Sequence, residues 1–153
     1  MKVKLGILGA GRIGRIHCDN ALRNSSVKVV AICDPFLERG WAESKEIESK
    51  VTDEEAFWRS DFDAVLIASP SHQHAAHVQK AIALKKHILC EKPLDQSLAV
   101  NQNIKALLKN HEKRFQIGFN RRFDNDFALM AERVREGSVG RSYYIRISSR
   151  DPG

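Results

Sequence analysis

Cysteine is scarce in this sequence, and no two cysteines stand at metal-ligand spacing. Cys18, Cys33 and Cys90 are the three in a chain of 153 residues, odd in number and far apart. With no C-x-x-C motif they argue against a zinc site or a disulfide framework, and read as buried thiols of a protein in a reducing cytoplasm. Long apolar runs are also missing. None approaches the ~20 residues that a membrane span needs, so no membrane partner is expected. No apolar leader with a small-residue cleavage site precedes the first strand-like segment. There is no internal repeat, low-complexity tract or linker.

Charge blocks are absent as well. The formal net charge is +6, but basic residues come in short groups: Lys85-Lys86, Lys113-Arg114 and Arg121-Arg122. No run of about five like charges occurs, and aromatic residues are not interleaved with the basic ones as a single-strand stacking platform requires. Nucleic acid is therefore not expected as a partner. The positive field suits attraction of a small anionic ligand.

What is present is an ordinary globular composition, 42% hydrophobic and 29% charged. A chain of this length is one domain's worth, able to bury about 70% of its unfolded surface. Its most informative segment is Leu5–Gly14, LGILGAGRIG, an apolar run ending in Gly9-x-Gly11-x-x-Gly14. Asp34 follows 20 residues after Gly14, at the end of the strand-like run Val27–Cys33. Each glycine answers a demand of dinucleotide binding. Gly9 permits a tight turn out of the strand, Gly11 lets the backbone approach a pyrophosphate, and Gly14 lets the next helix pack closely on the sheet. The free N–H groups at that helix's N-terminus suit phosphate, and the Asp34 carboxylate suits a ribose 2′-OH. Such an acid favours NAD over NADP, whose 2′-phosphate would meet like charge.

Strand-like and helix-like segments alternate along the chain, the pattern of a doubly wound parallel sheet with helices on both faces. A strand near residues 2–8 leads to a helix over Arg12–Arg23. Val27–Cys33 is a second strand, followed by a polar helix from Asp34-Pro35 to about Glu48. Asp53–Trp58 reads as a short helix, and Ala64–Ala68 as a central strand buried on both faces. The loop Ser69–His74 opens a helix ending near Leu84. His87–Cys90 is a strand. Ser97 caps a helix whose Val100, Ile104, Leu107 and Leu108 share one face. Phe115–Gly118 reads as the sixth strand, and Phe127, Ala131 and Val134 stripe a further helix ended by Gly137 and Gly140. Ser142–Ser149 alternates and reads as a last strand, for which the preceding six-stranded fold leaves no partner.

The motifs GAGRIGRIH (Gly9–His17), CDP (Cys33–Pro35), ASPSHQH (Ala68–His74), CEKP (Cys90–Pro93), GFNRRFD (Gly118–Asp124) and SSRDP (Ser148–Pro152) follow one another in that order. In this order they resemble the N-terminal half of the glucose–fructose oxidoreductase/inositol dehydrogenase/MocA family, most of all its myo-inositol 2-dehydrogenase branch. The resemblance covers the whole chain. It implies a Rossmann-type NAD-binding domain over residues 1–120 and, over 121–153, the start of a truncated C-terminal α/β domain for substrate and oligomerisation. Members move a hydride between NAD(P) and a ring hydroxyl of a cyclitol or sugar. The resemblance implies that Lys92 is the catalytic lysine, contacting substrate and cofactor. It implies cofactor contacts from Gly9, Ala10, Gly11, Arg12, Ile13, Gly14, Asp34, Ser69, Pro70, His74, Glu91, Lys92 and Pro93. No metal is implied. The family's acid/base pair, an Asp and a His on a helix beyond the SRDP stretch, lies past the end of this sequence.

Plainer readings stand beside these. Lys92 out of context is a surface lysine, and His72, His74 and His77 lack the flanking carboxylate or cysteine of a metal site. His74 fits a cofactor loop, whereas His72 and His77 read as solvated or capping residues. His17 reads as a packed histidine, Arg121, Arg122 and Asp124 as a surface ion-pair cluster, and Trp41 and Trp58 as packing residues. Arg150 and Asp151 are left without a role. Two functions follow for the chain. It is the NAD-binding part of an inositol 2-dehydrogenase-like enzyme acting on a polyol or sugar, completed by a separate C-terminal half or by self-association. The alternative is a stand-alone dinucleotide-binding module or inactive remnant without turnover.

Overall fold

The computed structural model describes residues 1–148. The chain divides into two compact units, Met1–Gly118 and Phe119–Gly153. The first unit is built on six strands: β1 (Val3–Leu8), β2 (Val27–Cys33), β3 (Ser49–Val51), β4 (Ala64–Ile67), β5 (His87–Cys90) and β6 (Phe115–Ile117). All pairings are parallel, and the order across the sheet is β3-β2-β1-β4-β5-β6. The order reverses between β1 and β4. In such sheets the crevice beyond the carboxyl ends of those two strands is where a ligand binds.

The strands are nearly continuous apolar runs because both faces are covered. Leu8, Ala31, Cys33, Val65 and Ile67 pack on one side with Phe57, Phe62, Val78 and Ile104. Ile7, Val29, Ile32 and Leu66 pack on the other with Cys18 and Ile47. The first layer is covered by α3 (Glu54–Trp58), α4 (His74–Ala83) and α5 (Leu98–Leu108), the second by α1 (Arg12–Arg23) and α2 (Arg39–Glu43). Gly6 is a packing requirement within β1. A Cβ there would lie 2.9 Å from both Phe57 and Phe62, whose rings sit 5.0 Å apart against the strand.

The caps follow from local chemistry. Asp53 caps α3, accepting from Glu55 N and Ala56 N. Ser97 caps α5 through the Val100 N–H. Ile104 is fully buried, whereas Leu107, expected on the same face, is exposed.

Two expectations need correcting. The polar stretch after Asp34 is not one helix to Glu48. Only Arg39–Glu43 is α-helical, and Ser49–Val51 leaves it to pair with Ala31–Cys33 of β2. Strand-like runs mark five of the six strands counted in the sequence, and β3 is the one to which no run is assigned. As a three-residue edge strand it needs no apolar pattern, because one of its flanks meets solvent. The second correction concerns the last strand. Residues 142–148 form no ladder, and Ser149 lies outside the described residues, as do Arg150 and Asp151. Extended chain becomes a strand only by pairing, and the described part of its own unit offers no other strand.

That second unit holds a 3₁₀ turn, Asn120–Phe123, and α6 (Asn125–Arg135). Asp124 caps α6, accepting from Asp126 N and Phe127 N, and Arg121 pairs with it at 3.5 Å. Gly137, at φ +74°, takes the left-handed conformation that follows the helix.

Candidate active site: a dinucleotide cleft at the strand-order reversal

Beyond Leu8 the chain must leave β1, turn sharply and enter α1. Gly9 makes the turn with φ +101°, and a Cβ on it would lie 2.4 Å from Ala68 O. Its N–H donates to Cys33 O at 2.7 Å. At Gly14 a Cβ would lie 2.0 Å from Gly9 O, so the first turn of α1 rests on the loop with no room for a side chain. Gly11 differs from both. Its backbone is ordinary extended chain, at φ −68°, and a Cβ there would meet nothing within 4 Å. Neither strain nor packing within the protein requires a glycine at this position. It leaves room for something brought against the backbone. Gly11 also caps α1 with no side-chain acceptor, and no acidic residue occupies the helix's first turn. The N–H groups there are available to an anion. These residues fit a dinucleotide's pyrophosphate.

Asp34 stands on the other side of the loop. Its Oδ2 accepts from Ala10 N at 2.7 Å and its Oδ1 from Phe36 N at 2.8 Å. Each carboxylate oxygen retains a further lone pair, so the acid that holds the glycine loop still has capacity for a ribose hydroxyl. Between Asp34 and the loop after β4 lies a cleft of about 340 Å³, lined by Gly9, Asp34, Phe36, Thr52, Ser69 and His77 among others.

The walls of the cleft are held by histidines. His74 opens α4 and is 1% exposed. Its Nδ1 lies 2.7 Å from Pro93 O and its Nε2 2.7 Å from Ser69 O. The ring therefore ties the segment after β5 to the loop after β4. Both nitrogens are engaged by backbone, which makes His74 a positioning residue for Ser69 and Pro93.

His77, one turn further along α4, is buried rather than solvated. Its Nδ1 lies 2.8 Å from Ser69 Oγ and its Nε2 3.3 Å from Glu54 Oε2. Glu54 Oε1 in turn accepts from the Trp58 indole N–H at 2.8 Å. Burial pushes the His77 ring below the ordinary histidine range, against the pull of Glu54 and with a small push from His74 and His72. The contact with Glu54 is accordingly a hydrogen bond of a neutral ring. Neither Glu54 nor this role of His77 is marked in the sequence by any local signal, because the two come from different elements.

The segment after β5 carries Glu91, Lys92 and Pro93. The Glu91 carboxylate faces His17 on α1, with Oε1 2.7 Å from Nε2, and its Oε2 accepts from Lys92 N. His17 is thus tied to the β5 end as a packing partner. Lys92 is exposed, and within Met1–Gly118 its ammonium forms no ion pair with a described residue. The Lys92–Pro93 peptide bond is cis. Pro70, Arg12 and Ile13 are exposed at the same end of the sheet.

The thiols belong to the core and not to this chemistry. Cys18, Cys33 and Cys90 are free and buried. Burial pushes Cys18 and Cys33 up to about 11 and Cys90 to about 12, with nearby carboxylates adding to each. No helix among the described residues is long and apolar enough to cross a membrane.

A parallel sheet in this order, a glycine loop under an uncapped helix N-terminus and an acid at the end of β2 together define a dinucleotide-binding Rossmann domain. Residues 3–119 match the family model described as the oxidoreductase family, NAD-binding Rossmann fold. The chain belongs to that family, the glucose–fructose oxidoreductase/inositol dehydrogenase/MocA oxidoreductases. It is 39% identical over 154 residues to an uncharacterised oxidoreductase of Bacillus subtilis, covering 99% of this chain and 45% of the relative. It is 33% identical to the inositol 2-dehydrogenase of Rhizobium meliloti, covering 99% of this chain and 46% of that protein. Among solved structures it superposes on the scyllo-inositol dehydrogenase of Lactobacillus casei with bound NAD(H) and scyllo-inositol. That match has a TM-score of 0.86 at 30% identity, over 92% of this chain and 43% of that one. The chain spans a little under half the length of the curated relatives it matches.

Proposed function

We propose that this chain is the NAD-binding part of an inositol 2-dehydrogenase-like oxidoreductase, which passes a hydride from a ring hydroxyl of a cyclitol or sugar to NAD. The observation that carries the reading is Gly11, a glycine that nothing in the protein requires, set between an uncapped helix N-terminus and Asp34. The names of the related inositol dehydrogenases supply the substrate class. NAD, when bound, supplies the hydride acceptor.

The chain's own residues divide the remaining work. The glycine loop and the first turn of α1 hold the pyrophosphate, with Ala10, Arg12 and Ile13 supplying backbone. Asp34 accepts from the adenosine ribose and repels a 2′-phosphate, giving preference for NAD over NADP. Ser69, Pro70, Glu91 and Pro93 wall the cofactor, with His74 and His17 holding them in place. Lys92 sets a positive charge by the reacting hydroxyl and stabilises the alkoxide that develops as hydride leaves the carbon. Residues 121–153 begin the domain that binds the polyol. Turnover then requires a C-terminal half, whether supplied in continuity, by a separate chain or by association of copies.

Calorimetric titration of the purified chain with NAD and NADP, followed by myo-inositol with NADH absorbance as the readout, tests this. Binding of NAD in preference to NADP, with no NADH formed by this chain alone, is the expected result. Turnover by the chain alone would overturn the requirement for a C-terminal half. Failure to bind either dinucleotide would overturn the functional reading itself.

A further inference from the structure

Gly11 brings the glycine loop a freedom that close approach to a ligand does not need. Turning a peptide unit over changes ψ of the residue before it and φ of the residue after it. A glycine takes either sign of φ at little cost, so the Ala10–Gly11 peptide is easily turned over. Its carbonyl oxygen would then lie where its N–H lies now, an acceptor in a place that suits an anion only while it holds donors.

The structure holds this peptide in one orientation. Arg15, at the end of the first turn of α1, reaches back, and its Nε–H donates to Ala10 O at 2.9 Å. The Ala10 N–H, in the preceding peptide unit, donates to Asp34 Oδ2, and Ala10 is buried. The Ala10–Gly11 bond is trans, so the Gly11 N–H points opposite to the Ala10 carbonyl and away from Arg15. That N–H has no acceptor among the described residues, and Gly11 is exposed. The Arg15 guanidinium is held in turn. Its Nη2 meets Glu38 Oε2 at 2.8 Å, and its central carbon lies 4.9 Å from the centre of the Trp41 ring.

We propose that Arg15 is a positioning residue for the dinucleotide. Its bond to the Ala10 carbonyl locks the Ala10–Gly11 peptide with the N–H outward, so that the cradle is preorganised before an anion arrives. The inference rests on the reading that the glycine loop holds the pyrophosphate. With its guanidinium paired to Glu38, Arg15 acts through the carbonyl rather than by its charge.

Two replacements separate the carbonyl bond from everything else the side chain does. Glutamine carries an N–H group on Cδ, where arginine carries Nε, and lacks the guanidinium. Methionine has a similar length and no donor. Both lose the Glu38 pair and the stacking on Trp41, so a role in tying α1 to α2 would be lost equally in the two. Calorimetry on the full chain is expected to show NAD bound about tenfold more weakly by Arg15→Met, and within about threefold of the wild type by Arg15→Gln, the scale of one preorganising hydrogen bond. Glu38→Gln removes the ion pair alone and is expected to bind NAD within about twofold of the wild type. The amide resonance of Gly11, identified by its absence in Gly11→Ala, reads the same peptide unit without any ligand. It is expected to keep its position in Arg15→Gln and Glu38→Gln and to move in Arg15→Met.

NAD bound as tightly by Arg15→Met as by the wild-type chain would overturn the inference and leave the NAD reading intact. So would equal losses in Arg15→Met and Arg15→Gln, which would assign the effect to the guanidinium, or a Gly11 resonance that Arg15→Met leaves in place. Failure of the wild-type chain to bind NAD would overturn the NAD reading and this inference with it.

Discussion

The Ala10 N–H donates to Asp34 Oδ2 at 2.7 Å, joining the glycine loop after β1 to the acid at the end of β2. Asp34 therefore organises the glycine loop, and in the proposed function it also meets the ribose.

Asp34→Ala is expected to reduce both stability and NAD affinity. Two backbone N–H groups, of Ala10 and Phe36, lose their acceptor, a loss of about 2 kcal/mol for hydrogen bonds to a charged group. Urea denaturation reads the stability change. Calorimetry is expected to show a weaker preference for NAD over NADP, because the charge that repels a 2′-phosphate is gone. A variant as stable and as selective as the wild-type chain would remove Asp34 from both roles.

Gly14→Ala is expected to be severely destabilising. Its Cβ would be placed 2.0 Å from Gly9 O and 2.9 Å from Gly9 C, and that backbone has no flexible end to yield. A loss of more than about 3 kcal/mol, read by chemical denaturation, is the expected cost of such overpacking.

Stability is expected to rise with pH through the histidine range, and His77 supplies part of that slope. Its folded-state value is lowered below the ordinary histidine range, so below about pH 6.5 the unfolded chain binds a proton that the folded chain excludes. The contribution is fully present above that pH and is lost as pH falls towards the folded value. Denaturation midpoints measured between about pH 5 and 7.5 should show this. In His77→Gln the overall stability falls but the slope is reduced. A slope that the variant leaves untouched would show that His77 titrates alike in both states.

None of the three cysteines is expected to react with a neutral aromatic disulfide in the folded protein. All three are buried, with thiols pushed up to about 11 or 12, so thiolate and access are both lacking. All three should react once urea is added. Rapid modification of one thiol in the native state would mark a local opening that the packing around it does not contain.

The sequence carried those parts of the fold that have a short-range physical signature. β1, β2 and β4 are legible as apolar runs, broken only by Lys4 and Lys28 near the exposed strand starts, because burial on both faces leaves few polar positions. The glycine loop and Asp34 are legible because their spacing is set by one strand, one turn and one helix. β3 is not, since Ser49-Lys50-Val51 owes its strand to the edge of β2 rather than to its own pattern. Residues 142–148 show the converse, an alternating pattern without a partner to make it a strand. In the site, Gly9 and Gly14 were readable one by one. The hydrogen-bonded row around His77 was not, because Trp58, Glu54, His77 and Ser69 come together only when α3 and α4 lie against the same end of the sheet. Gly6 was equally silent, its reason being two rings more than 50 residues away.

The most direct test of the central claim is NAD binding by the Gly11→Ala chain beside the wild type. The added Cβ meets no protein atom within 4 Å and sits on unstrained backbone, so stability should change by less than about 0.5 kcal/mol. If the loop is a pyrophosphate cradle, calorimetry should show NAD binding to the wild-type chain and a loss of at least about tenfold in the variant. A folded variant that binds NAD as tightly as the wild type would contradict the cradle and the function built on it.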